Sequence, residues 1–189
     1  MPKTIVVELY SDAWAHHFEA LRMRLSNALD GIAHTIEHVG STSVKGLAAK
    51  PVIDIDIIVA REQLDDAIEA LSTLEYTHRG ELGIKDRHAF RYEGEEELHT
   101  HNLYVCIEGA ESLRNHLLLR DYLREHPDEA RAYGALKQEL ARKHPRDIDA
   151  YVEGKSAFIL AILEKQGMSQ ESLEAIEEAN LASSQPPRE

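Results

Sequence analysis

With 189 residues, 43 % of them hydrophobic, the chain has enough apolar material for a sizeable core and too much for intrinsic disorder. A net charge of −13 argues against a broad nucleic-acid interface, because the phosphate backbone repels such a surface, yet it is compatible with a small basic pocket for a nucleotide. The lone cysteine, Cys106, excludes an internal disulfide, no apolar run reaches the roughly 18 residues that span a bilayer, and MPKTIVVELYSDAW is a poor secretory signal, so the expected compartment is the cytoplasm, away from the membrane.

In chain order, TIVVELY (4–10) reads as a strand. Ser11 or Asp12 then caps a helix to about Leu29, with Trp14, Phe18, Leu21, Leu25 and Leu29 on one face, and Asp30-Gly31 stops it. AHTIEHV (33–39) is a second strand, followed by a small-residue loop or short helix from Gly40 to Lys50. PVIDIDIIVA (51–60) is a third strand, with Pro51 at its start where a missing N–H costs least. An amphipathic helix over 62–75 follows, on Leu64, Ile68, Leu71 and Leu74. Strand-like pieces at 76–82, 87–93 and 97–107 come next, the last two joined through the turn EGEE (93–96) as an antiparallel hairpin. From Glu111 the pattern is helical, at 111–125, 128–143, 147–166 and 169–181, broken by His126-Pro127, His144-Pro145 and Gly167. The expected fold is α+β: a mixed sheet with helices on one face and a C-terminal helical portion. One domain over 1–166 is followed by an acidic helix and a mobile Pro-rich tail over 167–189.

The third strand carries the chemistry. Strand side chains alternate, so Ile53, Ile55, Ile57 and Val59 share one face while Asp54 and Asp56 share the other with Val52 and Ile58. Two neighbouring carboxylates on a core strand repel each other and lose solvation, and a divalent cation reconciles them. Mg²⁺ or Mn²⁺ suits such oxygen donors and leaves coordination positions open for phosphate. Twelve residues lie between the pair Gly40-Ser41 and Asp54. A Gly-Ser turn at a strand end offers N–H groups and a hydroxyl to a phosphate, and Thr42, Ser43, Lys45 and Lys50 add hydroxyls and charge. A phosphate cradle beside metal-holding carboxylates is a layout for phosphoryl transfer.

Gly-Ser, about a dozen residues, then Asp-x-Asp on an apolar strand resembles the signature of the nucleotidyltransferase superfamily. The fuller string HVGSTSVKGLAAKPVIDIDIIV resembles the GrpB family, as do FRYEGEEELHTHNLYV, LLLRDYLREHPDEARAYGALKQELA and YVEGKSAFI, so the likeness spans about residues 5–163. Relatives often have Pro where this chain has Lys45, and many lack a second aspartate, which here is Asp56. The resemblance implies a nucleotidyltransferase-like fold, sometimes fused to dephospho-CoA kinase.

Nucleotidyltransferases usually add a third carboxylate from a neighbouring strand. Glu97, at the edge of the 97–107 strand, is one candidate; His99 and His101, on the same face by alternation, are others. Ligating histidines would favour Mn²⁺, Zn²⁺ or Ni²⁺, and the competing account is a solvated hairpin end. Asp54 and Asp56 could instead be structural ion-pair residues, and Ser41 a turn-capping hydroxyl. His38 either orients Ser41 or is a buried hydrogen-bonding residue, and Lys50 reaches a phosphate or pairs with Asp54. Arg87 and Arg91 share a face and either clamp phosphate or pair with Glu93. Lys137 and Lys155 read first as surface salt-bridge residues and second as groups closing over a nucleotide. Cys106, on the other face from the histidines, reads as core packing.

The expected activity is metal-dependent transfer of a nucleotidyl group from a nucleoside triphosphate to an acceptor that the sequence does not name. Asp54, Asp56 and Ser41 would be its catalytic residues. The rivals are a nucleotide- or metal-binding module without turnover and an accessory domain acting through its C-terminal helices.

Overall fold

The protein is described from a computed structural model, covering residues 4–183. Five strands form one mixed sheet in the order β1-β2-β5-β4-β3: β1 is His34–Val39, β2 Ile53–Val59, β3 Tyr76–His78, β4 Arg87–Tyr92 and β5 His101–Ile107. Strands β2 and β5 are parallel, and the other three pairings are antiparallel.

One face of the sheet is the main core. Ile53, Ile55, Ile57 and Val59 of β2, with Leu103, Val105 and Ile107 of β5, point into it. Helix α1 (Ala13–Ala28) covers that face with Trp14, Leu21 and Leu25, backed by Leu29 just beyond its end. Helix α2 (Leu64–Ser72) adds Ala67 and Leu71, entering through a single turn of 3₁₀ helix over Arg61–Gln63. The opposite face is covered by the C-terminal helices α3 (Glu111–Glu125), α4 (Pro127–Lys143) and α5 (Ile148–Lys165), flanked by α6 (Gln170–Ser183). Pro127 opens α4 at a position whose N–H would be unpaired anyway, and the Asp147 carboxylate caps α5 by accepting from the Ala150 N–H at 3.0 Å.

Three sequence expectations change. Residues 4–10 form no strand. Among the described residues their one β-bridge is Glu8–Ala49, while the Ile5 N–H donates to the Pro145 carbonyl at 2.8 Å and its side chain packs with Leu140, Ala141 and Tyr151. The 76–82 strand closes at His78, where Gly80 and Leu82 turn with φ of 77° and 50°. The last strand begins at His101 rather than at 97, so Glu97 and His99 lie in the preceding connection. The tail from 184 onward lies outside the described residues. Among the described residues, no helix is long and apolar enough to cross a membrane.

Candidate functional site

The site forms where β1 hands the chain to β2. Gly40 leaves β1 with φ 69°, a conformation that side-chain-bearing residues rarely hold, and a single 3₁₀ turn over Ser41–Ser43 follows. A Cβ at Gly40 would stand 2.1 Å from Asp54 Oδ2, so glycine is needed for fit as well as for torsion. The first N–H groups of the turn have no acceptor within it. The Ser41 hydroxyl has no partner among the described residues, whereas the Ser43 hydroxyl donates to the Gly40 carbonyl at 2.6 Å.

Several side chains hold the turn in place. The Thr42 hydroxyl donates to the Val52 carbonyl and lies 3.0 Å from His38 Nε2, so that nitrogen is the donor in their contact. His38 also stacks on Phe18 of α1. Burial, aided by Arg124 and Arg120, pushes the His38 pKa down to about 4, so the ring is neutral. From α3, Arg120 donates to the His38 carbonyl and to Glu37, while Arg124 donates to the Ser43 carbonyl. His38 and Thr42 therefore support the turn, while Ser41 lines the cavity beside it.

Asp54 and Asp56 sit on the site face of β2. The parallel register sets Asn102 beside Asp54 and Tyr104 beside Asp56. Asn102 donates to Asp54 Oδ1 at 2.7 Å, leaving Oδ2 against Gly40. Burial raises the pKa of Asp54, opposed by Asn102, His116 and Lys155. Asp56 is completely buried; its Oδ2 accepts from His116 Nδ1 of α3 at 2.7 Å, while its Oδ1 has no partner. Burial opposes charge on His116, but its hydrogen bond to Asp56 and the field of both aspartates prevail and raise its pKa.

Two adjoining cavities, about 180 and 220 Å³, share Ser41, Asp54 and Lys155. The first is also lined by Thr42, Lys50, Asn102, Lys137 and Tyr151, the second by Gly40, His116 and Arg120. Helix α4 approaches this region closely because Gly134 lies against Ala48, where a Cβ would meet the Ala48 nitrogen at 3.3 Å. One turn further on, Lys137 is buried and its Nζ has no hydrogen-bonding partner.

The structure thus brings together Gly40, Ser41, Thr42, Lys50, Asp54 and Asp56, and it separates other residues that the sequence suggested. His101 pairs in register with Ile53, so its side chain lies on the core face, where it hydrogen-bonds the Tyr76 hydroxyl at 2.7 Å. His99 stacks on His17 of α1, and Glu97 is exposed outside the strand. The histidine-containing metal set is therefore corrected: β5 places Leu103, Val105 and Ile107 in the core, and His101 has their parity. Arg87 stacks over the Tyr104 ring and lines a separate cavity, while exposed Arg91 lies 3.9 Å from Glu93. Lys137 and Lys155 are not surface salt-bridge residues; both line the pocket. Asn102, Tyr151 and His116 did not emerge from the sequence. His116 and Arg120, at i and i+4 among the leucines of NHLLLR, form a polar stripe that could have signalled a site-facing helix.

Two carboxylates from one strand, with Asp56 Oδ1 lacking a partner among the described residues, are oxygen donors of the kind a divalent cation takes. They do not make a protein-only cage, since no group of three His, Cys, Asp or Glu able to hold a metal occurs among the described residues.

This sheet, with a Gly-Ser turn facing an Asp-x-Asp strand, defines a nucleotidyltransferase-type fold. The Cid1 poly(U) polymerase aligns with TM-score 0.55 over 82 % of this chain and 50 % of its own, at 14 % identity, a likeness of fold alone. A family model described as GrpB protein matches residues 4–165, and the chain belongs to the GrpB family. It is 37 % identical to the UPF0157 protein YqkA of Bacillus subtilis over 83 % of its own length, yet spans only 46 % of that relative. The crystal structure of GrpB from Enterococcus faecalis matches with TM-score 0.74 and 36 % identity, covering 91 % of this chain and 99 % of that one.

Proposed function

We propose that the protein binds a nucleoside triphosphate with a divalent cation, Mg²⁺ or Mn²⁺, and transfers its nucleotidyl group to a hydroxyl-bearing acceptor. The observation carrying this reading is the contact of Asp54 with Gly40. It sets Asp54, which lines both cavities, directly against the Gly40-Ser41 turn, with Asp56 buried two residues further along the same face of β2. The Cid1 poly(U) polymerase, of similar fold, was solved with MgGTP bound.

Asp54 and Asp56 would hold the cation, which when bound supplies charge neutralisation at the phosphates. The turn N–H groups and the Ser41 hydroxyl would donate to phosphate oxygens and orient the chain of phosphates. Lys50, at the cavity rim, adds positive charge. The acceptor oxygen would form a bond to the α-phosphorus as the bond to the pyrophosphate oxygen breaks. A site aspartate would assist removal of the acceptor's proton. Positioning and charge neutralisation supply most of the rate.

One observation favours a second reading, binding without turnover: the β5 positions beside the aspartates hold Asn102 and Tyr104 and supply no third carboxylate. The test is a panel of nucleoside triphosphates with and without Mg²⁺ or Mn²⁺, read by thermal shift and by pyrophosphate release. Binding at a hundredfold excess over Kd adds about 2.7 kcal/mol of stability. The Asp54→Asn, Asp56→Asn double variant loses that gain and stays folded. Binding without pyrophosphate release across a broad acceptor panel favours the second reading, and absence of any metal-dependent binding removes both.

A further inference from the structure

Lys137 is the least explained group in the pocket. It is 2 % exposed, and its Nζ has no hydrogen-bonding partner among the described residues. Its Nζ lies over the Tyr133 ring, 4.5 Å from the centroid. A charged ammonium so placed would leave its N–H groups unsatisfied at a cost of several kcal/mol, so burial shifts Lys137 toward the neutral amine. The cavity it lines also holds Lys155, Lys50, Tyr151 and Asp54. Three lysines face one carboxylate there, a charge balance that calls for a polyanion.

We propose that Lys137, with Lys155, forms the subsite for the outermost phosphate groups of the ligand, and that Lys137 takes up a proton as that anion enters. The idea rests on the triphosphate reading of the same site and deepens it by naming which groups meet the far end of the ligand and how their charge arises.

The groups facing Lys137 decide the sign. Burial, then Lys155 on α5, lower its pKa to about 7, while Asp54 on β2 opposes them. Tyr133 and Tyr151 are themselves held protonated by burial, so neither supplies a counter-charge. Lys155 is lowered too, by burial and by Lys50, with Asp54 opposing. An entering phosphate is a far closer negative charge than Asp54 and raises the Lys137 pKa in the complex. Proton uptake is then small at pH 6, about half a proton at pH 7 and about 0.9 at pH 8. Above pH 7 the affinity falls by up to about tenfold per pH unit.

The experiment is titration calorimetry of the full chain with inorganic tripolyphosphate and, separately, with MgATP, in buffers of different ionisation enthalpy at pH 6, 7 and 8. Lys137→Met keeps the packing of the stem and removes the amine, so its unfolding midpoint stays equal to wild type or rises, which establishes that it is folded. The proton count of wild type minus that of Lys137→Met cancels protons carried by the ligand itself. The expected difference is about half a proton at pH 7, with binding of tripolyphosphate weakened about tenfold or more in the variant. Lys155→Met, which removes the neighbouring positive charge, moves the uptake to higher pH. If MgATP binds but Lys137→Met matches wild type in affinity and proton count, the subsite is wrong and the triphosphate reading stands. If tripolyphosphate binds with the expected difference but MgATP does not bind, the subsite stands and the nucleotide reading falls. If neither binds, both fall.

Discussion

The two faces of β2 are built from one seven-residue strand and obey different physics. On the α1/α2 side, Ile53, Ile55, Ile57 and Val59 are fully buried against other apolar side chains, a non-directional packing that stabilises through area removed from water. On the α3–α5 side, Asp54 and Asp56 meet Asn102, His116, Gly40 and the pocket lysines. There each polar atom needs its own partner, and Asp56 Oδ1 and Lys137 Nζ go without one. The contrast teaches that one face is spent on stability and the other is held in readiness at some cost to it. Substitutions on the two faces should therefore differ in sign.

The largest effect belongs to the apolar face. Ile55→Ala leaves a cavity beneath the sheet and should lower stability by about 3–4 kcal/mol in urea unfolding. A loss below about 1 kcal/mol would mean that this face is not the close-packed core.

Next is the join between the faces and the turn. Gly40→Ala puts a methyl on Asp54 Oδ2 at a left-handed torsion and should cost about 1–3 kcal/mol while disrupting nucleotide binding. An unchanged urea midpoint would show that turn and carboxylate are apart in solution.

Asp54→Asn should move stability the other way. Burial raises the folded-state pKa of Asp54 above its unfolded value, so its contribution is fully present below the unfolded pKa and is lost as pH rises through the folded one. At neutral pH the charged form is the strained one, and the asparagine variant in EDTA should gain about 1 kcal/mol. A variant that instead unfolds several kcal/mol earlier, yet binds MgATP as wild type does, would assign Asp54 to a structural ion pair.

The last effect is a pH slope at the supporting histidine. Folded His38 has a pKa of about 4, below its ordinary 6.5, so the unfolded chain takes up a proton between these values that the folded chain refuses. Its contribution is present above pH 6.5 and declines toward pH 4. His38→Gln keeps a donor toward Thr42 without the titration, so its stability relative to wild type should improve from pH 7 to pH 5. A constant difference would put the wild-type proton elsewhere.

Much of this was readable from local pattern. The helices after Glu111 and their Pro and Gly breaks, the strand 53–59 with its alternating faces, and the Gly40-Ser41 turn all follow from periodicity and turn chemistry acting over a few residues. The core-side position of His101 was also within reach, since His101, Leu103, Val105 and Ile107 share one parity. The polarity of histidine argued for a site, and the three apolar partners on its face argued more strongly for the core.

What the sequence determined by itself is this set of elements and the pairing of two carboxylates on one face of β2, because alternation in a strand depends on the strand alone. Only the tertiary structure decided what surrounds those carboxylates. The parallel register of β2 on β5 chose Asn102 and Tyr104 as their neighbours, and a shift by one residue would have presented the opposite face of β5. The close approach of α4 at Gly134 buried Lys137 in the pocket, and residues 4–10 met the Ala49 loop and Pro145 rather than a strand of the sheet. Each of these depends on segments far apart in the chain, whose relative placement is settled by packing and by which backbone edges remain free, and no local pattern carries that information.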